Sequence, residues 1–131
     1  MNLPDLPTEI AIIAGKGAYP RLLAESARKQ GVTHIVAVAF KKETNPVIEK
    51  LVDEVHWIYL GQLGHMLDAL ASTKIPHVVM AGQITPTHLF RVRFDSKLIE
   101  VLKRLPERNA DTIFGAIADE IKDIGMELLP A

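Results

Sequence analysis

Apolar residues gather along this chain in short unbroken runs, several of them closed by a glycine. Ile10-Ala-Ile-Ile-Ala14 is the first; it is too short for a helix, β-branched, and stopped by Gly15 and Gly17. A run without polar alternation suits a strand covered on both faces, as parallel sheets require. Ile35–Phe40, Val55–Leu60 and His77–Ala81 repeat the pattern, and Met126–Leu129 adds one more candidate strand. Between these runs, apolar positions return at helical spacing. Pro20 stands in the first turn of a helix with Leu22, Leu23 and Ala27 on one stripe, which ends at Gly31. Asn45-Pro46 caps a short helix carrying Val47, Ile48, Leu51 and Val52. Leu63, Met66, Leu67 and Leu70 mark the next helix. Leu98, Ile99, Leu102 and Leu105 mark another, capped by Asp95 or Ser96. The last carries Ile113, Phe114, Ile117, Ala118 and Ile121, with Gly125 beyond its end. Strands alternating with helices predict right-handed βαβ crossovers. The fold class is α/β, a three-layer Rossmann-like domain whose mostly parallel sheet has about five strands, spanning residues 1–131 as one unit.

Composition narrows the chemistry. The 131 residues are 48% apolar and 24% charged, ordinary for one globular domain. Lys and Arg number 15 against 16 Asp and Glu, so no overall field draws nucleic acid or an anionic membrane. Cysteine is absent, which removes disulfide scaffolds, thiolate metal sites and cysteine nucleophiles. No apolar run approaches the length of a spanning helix, and the first residues lack the pattern of a secretory signal, so a cytoplasmic protein is expected.

The candidate chemistry lies at strand ends. Three runs stop at Gly15, Gly61 and Gly82, and a parallel sheet places all three along the edge where ligands bind. Ala14-Gly15-Lys16-Gly17-Ala18-Tyr19-Pro20 leads from a strand into a helix. It suits a phosphate-cradling turn, with a tight turn needing glycine for its own backbone as the plain alternative. Pro20 stands where a dinucleotide fingerprint has its third glycine, and Phe40-Lys41-Lys42 replaces the ribose-binding acid. Lys41 and Lys42 would instead suit a 2′-phosphate, or are simply solvated, as exposed lysines after a strand usually are. Gly61-Gln62-Leu63-Gly64 and Gly82-Gln83 put an amide beside glycine at two further strand ends, fit for a base edge or sugar hydroxyl, or for a helix-start turn.

Other polar residues carry plainer readings. None of the five histidines shows the spacing of a helical zinc site; His34, His56 and His77 fall at or near strand starts, and His65 alone sits on the glycine-bearing edge. Leu89–Phe94 alternates apolar residues with Arg91 and Arg93, as an edge segment with one buried face would, or as arginines that meet a diphosphate. Asn109-Ala110-Asp111-Thr112 reads from spacing as a helix cap. The chain displays no complete catalytic apparatus.

Taken in series, Ile13–Pro20, Leu60–Gly64, Val79–Ile84 and the helix that begins at Asp111 resemble the N-terminal half of the UDP-2,3-diacylglucosamine pyrophosphatase family of lipid A synthesis, the two-domain type unrelated to the metallophosphoesterase form. The similarity runs from about Ile10 to Leu129. It implies hydrolysis of UDP-2,3-diacylglucosamine at the α-phosphorus, with a divalent metal (magnesium), to UMP and the acylated sugar 1-phosphate. It implies ligand-facing positions at Gly15, Gly17, Ala18, Pro20, Gly61, Gln62, Gly64, Gly82 and Gln83. The family's Gly-Asp-Asp is replaced here by Asn109-Ala110-Asp111, so Asp111 alone carries a matching carboxylate. It also implies a separate C-terminal domain holding the essential acid and the metal, a partner this sequence lacks, and a peripheral contact with the inner membrane. By itself the chain is expected to bind rather than to catalyse. A dinucleotide-binding Rossmann domain that takes NADP, and a non-catalytic interaction module whose glycines serve only turns, are the rival readings.

Overall fold

A computed structural model describes residues 7–83 and 94–129. The first strand, β1 (Glu9–Ala14), leads into helix α1 (Tyr19–Lys29), and β2 (His34–Phe40) into a 3-10 turn (Pro46–Lys50). Then follow β3 (Glu54–Ile58), α2 (Leu63–Thr73), β4 (His77–Ala81), α3 (Ser96–Arg104), α4 (Ala110–Asp123) and β5 (Glu127–Leu129). All pairings are parallel, in the order β3-β2-β1-β4-β5. The chain builds outward from β1 to β3, then crosses back to lay β4 on the other side of β1. The α/β Rossmann-like arrangement expected from the alternation is the one formed.

The unbroken apolar runs have a direct cause. β1 and β2 are buried along nearly their whole length because helices cover both faces. Strand side chains alternate between faces. Ala11, Ile13, Val38 and Phe40 therefore pack with Leu63, Met66, Leu67 and Leu70 of α2, Leu98 and Val101 of α3, and Ile121 of α4. Ile10, Ile12, Ala14, Ile35, Ala37 and Ala39 pack on the opposite face with Ala24 and Ala27 of α1 and with Ile48. This second layer is rich in alanine.

Some details depart from the expected spacing. Strand β3 stops at Ile58, two residues short of Leu60, because Tyr59 and Gln62 close a turn on themselves, with Gln62 N–H donating to Tyr59 C=O at 3.2 Å. In α1 the buried side is Pro20, Ala24 and Ala27, while Leu22 is half exposed, the small alanines having taken the inner face. Ile99 and Phe114, expected on buried stripes, are exposed as well, since α3 turns Leu98 and Val101 inward and α4 turns Ile121.

Two polar groups brace the sheet. Thr44, 5% exposed, donates its hydroxyl to Ala14 C=O and accepts from Phe40 N–H at 2.9 Å, tying the ends of β1 and β2 together. At the opposite edge, Asp53 accepts from Ile35 N–H at 2.8 Å and from the Arg28 guanidinium at 2.7 Å. The Ile35 N–H first, then Arg28, hold the Asp53 carboxyl below its ordinary range.

Two outcomes follow. Thr44→Val leaves a buried carbonyl and a buried N–H unpartnered, and is expected to cost about 1–3 kcal/mol in urea unfolding, with Thr44→Ser retaining most of the stability. Asp53 is depressed in the folded state, so its contribution is present above the carboxylate range and lost as pH falls through it. The stability gap between the wild type and Asp53→Asn, followed by denaturant titration, should therefore shrink between about pH 5 and about pH 2.

Candidate functional site

Because every strand is parallel, the loops after β1, β2, β3 and β4 lie along one edge. The topological switch point, the usual crevice for a ligand in such a sheet, falls between β1 and β4. Here it is closed by the chain itself. Gly15 N–H donates to Ala81 C=O at 2.7 Å, Lys16 N–H to Gln83 C=O at 2.8 Å, and Gln83 N–H to Lys16 C=O at 2.9 Å. The two loops approach so closely that a Cβ on Gly15 would lie 2.7 Å from the Gln83 carbonyl oxygen, and one on Gly82 would lie 2.8 Å from the Lys16 oxygen. At Gly15 and Gly82 the missing side chain thus admits the neighbouring loop, and the amides of Gly15, Lys16 and Gln83 are already engaged.

Beyond this seal the chain opens. Gly17, at φ +99°, has nothing within 4 Å of where a Cβ would stand. Ala18 is the N-cap of α1 and supplies no capping side chain, so first-turn N–H groups of this helix have no side-chain acceptor of their own. Gly17, Ala18 and Pro20 form one wall of a cleft of about 890 Å³ between the β1–α1 loop and the segment after β2. Four cations border it, Lys16, Arg21, Lys41 and Lys42, against one carboxylate, Glu43. Arg21 pairs with Glu25 at 3.1 Å, and the Lys41 ammonium lies 4.7 Å from the centroid of the Tyr59 ring. The far wall is apolar, built from Pro46, Val47, Ile48 and Trp57. The Trp57 indole N–H donates to Glu49 at 2.7 Å.

The other positions expected at the site do not line this cleft. Gln62 folds its side chain back to accept from Tyr59 N–H at 2.8 Å. Gly64 N–H donates to Asp95 Oδ2 at 2.7 Å, while Asp95 Oδ1 accepts from Leu98 N–H at 2.9 Å, so one carboxylate caps both α2 and α3. A Cβ on Gly64 would lie 3.2 Å from Asp95 Oδ2, which explains glycine there. Gly61 accepts the Asp95 N–H at 3.1 Å, and His65 lies 3.5 Å from the same carboxylate. The segment from Gly61 to Gly64 is thus fastened to the start of α3. Gln83 joins the seal through its backbone. Asp111 is exposed in the first turn of α4, where Asn109 and Thr112 form the capping box, and none of its described contacts reaches the cleft. Arg91, Arg93 and most of the stretch around them lie outside the described residues. Arg21, Thr44 and Trp57 border the cleft without having been singled out, and Asn45 was read only as a helix cap; a lone tryptophan late in a strand was the one signal available.

Among the described residues no three His, Asp or Glu side chains gather as a metal would need. The cleft offers one carboxylate among four cations, a donor set that fits an anion and not a divalent cation. His34, His56 and His77 each stand near a single acid (Asp53, Glu54 and Glu127). Among the described residues, no helix is long and apolar enough to cross a membrane.

The seal sets a ranking for glycine substitutions. Gly82→Ala combines a positive φ with a backbone collision and is expected to cost about 1–3 kcal/mol in chemical denaturation. Gly17→Ala, strained in φ but in open space, should cost about 1 kcal/mol. The reverse order would mean that the two loops do not meet.

Residues 9–131 match the family model of the LpxI N-terminal domain. No curated protein matches the chain. The match runs over nearly the whole sequence and gives the assignment: the chain belongs to the LpxI N-terminal domain family of lipid A biosynthesis.

Proposed function

We propose that this domain holds the diphosphate of UDP-2,3-diacylglucosamine in the cleft between the β1–α1 loop and the segment after β2, as the substrate-binding half of a hydrolase that yields UMP and the acylated sugar 1-phosphate. One observation carries the reading: Gly17 and the uncapped start of α1 open onto the same cleft as Lys16, Lys41 and Lys42. Attack of water on a diphosphate builds negative charge on the phosphoryl oxygens, and fixed cations with oriented N–H groups neutralise it. In this proposal the chain supplies binding and charge neutralisation. The acid that positions water, and the magnesium, belong to a C-terminal domain, consistent with a cleft whose donors suit only anions. The acyl chains would bring the assembly into peripheral contact with the inner membrane.

The rival with most support is a dinucleotide site, because Lys41 and Lys42 stand at the end of β2 where a 2′-phosphate would lie. Against it, a dinucleotide laid across the switch point would meet the Lys16–Gln83 bridge. An interaction module remains the third reading.

Thermal shift separates the three. A ligand at about ten times its Kd stabilises the native state by about 1.4 kcal/mol, roughly 4 °C for a domain of this size. UMP and UDP-sugars are expected to raise the melting temperature, and NADP is not. The double substitution Lys16→Glu/Lys42→Glu should abolish the rise without lowering the melting temperature of the free protein by more than about 2 °C, both residues being exposed. A rise with NADP alone would favour the dinucleotide site, and no rise with any of these ligands the interaction module.

A further inference from the structure

The cleft is chemically lopsided. Its cationic loops stand on one side, whereas Pro46, Val47 and Trp57 make an apolar wall on the other. A nucleotide has the same division, charged phosphates at one end and a flat, weakly hydrated base at the other. Trp57 is held in a particular way. Its indole N–H is spent on Glu49, and its backbone is fixed in the sheet opposite Ala39 of β2. What remains to a guest is ring surface, which attracts a base of any sequence through stacking and buried area. The Glu49 bond and the packing of part of the ring against the core both favour one orientation, in which ring surface and not the N–H is offered.

We infer that Trp57 is the nucleobase contact of this cleft, with the phosphates at Gly17, Lys16 and Lys42 and the base laid against the indole. The inference rests on the cleft being a nucleotide site. It adds which end of the substrate enters: the nucleoside monophosphate lies within the cleft between β1 and β3, and the acyl-sugar extends outward from it. Trp57 is then a specificity residue for nucleotides over bare phosphate chains.

Trp57 is the one tryptophan of the chain, so its emission reports on this contact without labelling. The experiment titrates the 131-residue chain with UMP and, separately, with inorganic pyrophosphate, following tryptophan emission and melting temperature together. UMP is expected to change the emission and raise the melting temperature; pyrophosphate should raise the melting temperature and leave the emission unchanged. Trp57→Leu should weaken UMP about tenfold or more while pyrophosphate binds as before. Should that variant fail to fold, Trp57→Phe keeps an aromatic surface and should bind UMP within about threefold of wild type. Three results would overturn the inference and leave the nucleotide reading standing: a UMP-induced melting shift with silent emission, an equal emission change from pyrophosphate, or UMP affinity untouched in Trp57→Leu. Absence of any melting shift with UMP would remove both.

Discussion

Two peptide groups, those of Lys16 and Gln83, face one another across the top of the sheet and exchange hydrogen bonds at 2.8 and 2.9 Å. Much of the geometry of the cleft depends on that short antiparallel contact. Parallel strands end with their last carbonyls and the following amides directed to the same edge, and a reversal of winding direction ordinarily leaves a gap between the loops there. Here the gap is filled by backbone, at a distance only two glycines permit. The open, cation-bordered cleft consequently lies one strand away, above β1 and β2 and not in the β1–β4 gap. The lysines at the end of β2 thereby meet the start of α1.

A second constraint works on the opposite layer. Asp95 gives one oxygen to α2 and the other to α3, fixing two helix starts with one carboxylate. Buried Glu120 joins α3 to α4 in a related way, accepting from Arg104 at 2.6 Å and lying 3.2 Å from Lys97. Its burial favours the protonated form, but the bonds from Arg104 and Lys97 more than offset this and hold the carboxyl below its ordinary range. Only the carboxylate of this cluster is buried, its two cations reaching it from the surface. Both faces of the sheet thus join apolar packing to polar clamps: Asp95 and Glu120 on the side of α2–α4, Thr44 and the Arg28–Asp53 pair on the side of α1.

How far the sequence could be read depended on what each residue type reports. Unbroken apolar runs report burial on both faces, so the strands were legible, and Asn45, Asp95 and Asn109 marked helix starts at the positions where they cap them. A glycine reports only that a side chain is unwelcome, not what takes its place. Gly15, Gly17 and Gly82 look alike in the sequence, yet two face a neighbouring backbone and one faces open space. Gln62 illustrates the same limit, since an amide beside glycine can hold a ligand or its own turn, and here it holds the turn. Trp57 was passed over because its place on the cleft depends on the pairing of β3 with β2, a contact between residues distant along the chain.

The alanine-rich seam beneath α1 has a further consequence. Ala14, Ala24, Ala27, Ala37 and Ala39 carry no side-chain rotamers, so their share of that interface has no side-chain entropy to surrender and few ways to rearrange. A helix seated on such a surface keeps its first turn where it is whether or not an anion is present. Under the proposed binding mode, the N–H groups at that end would meet a guest already in place, with no reshaping of the helix.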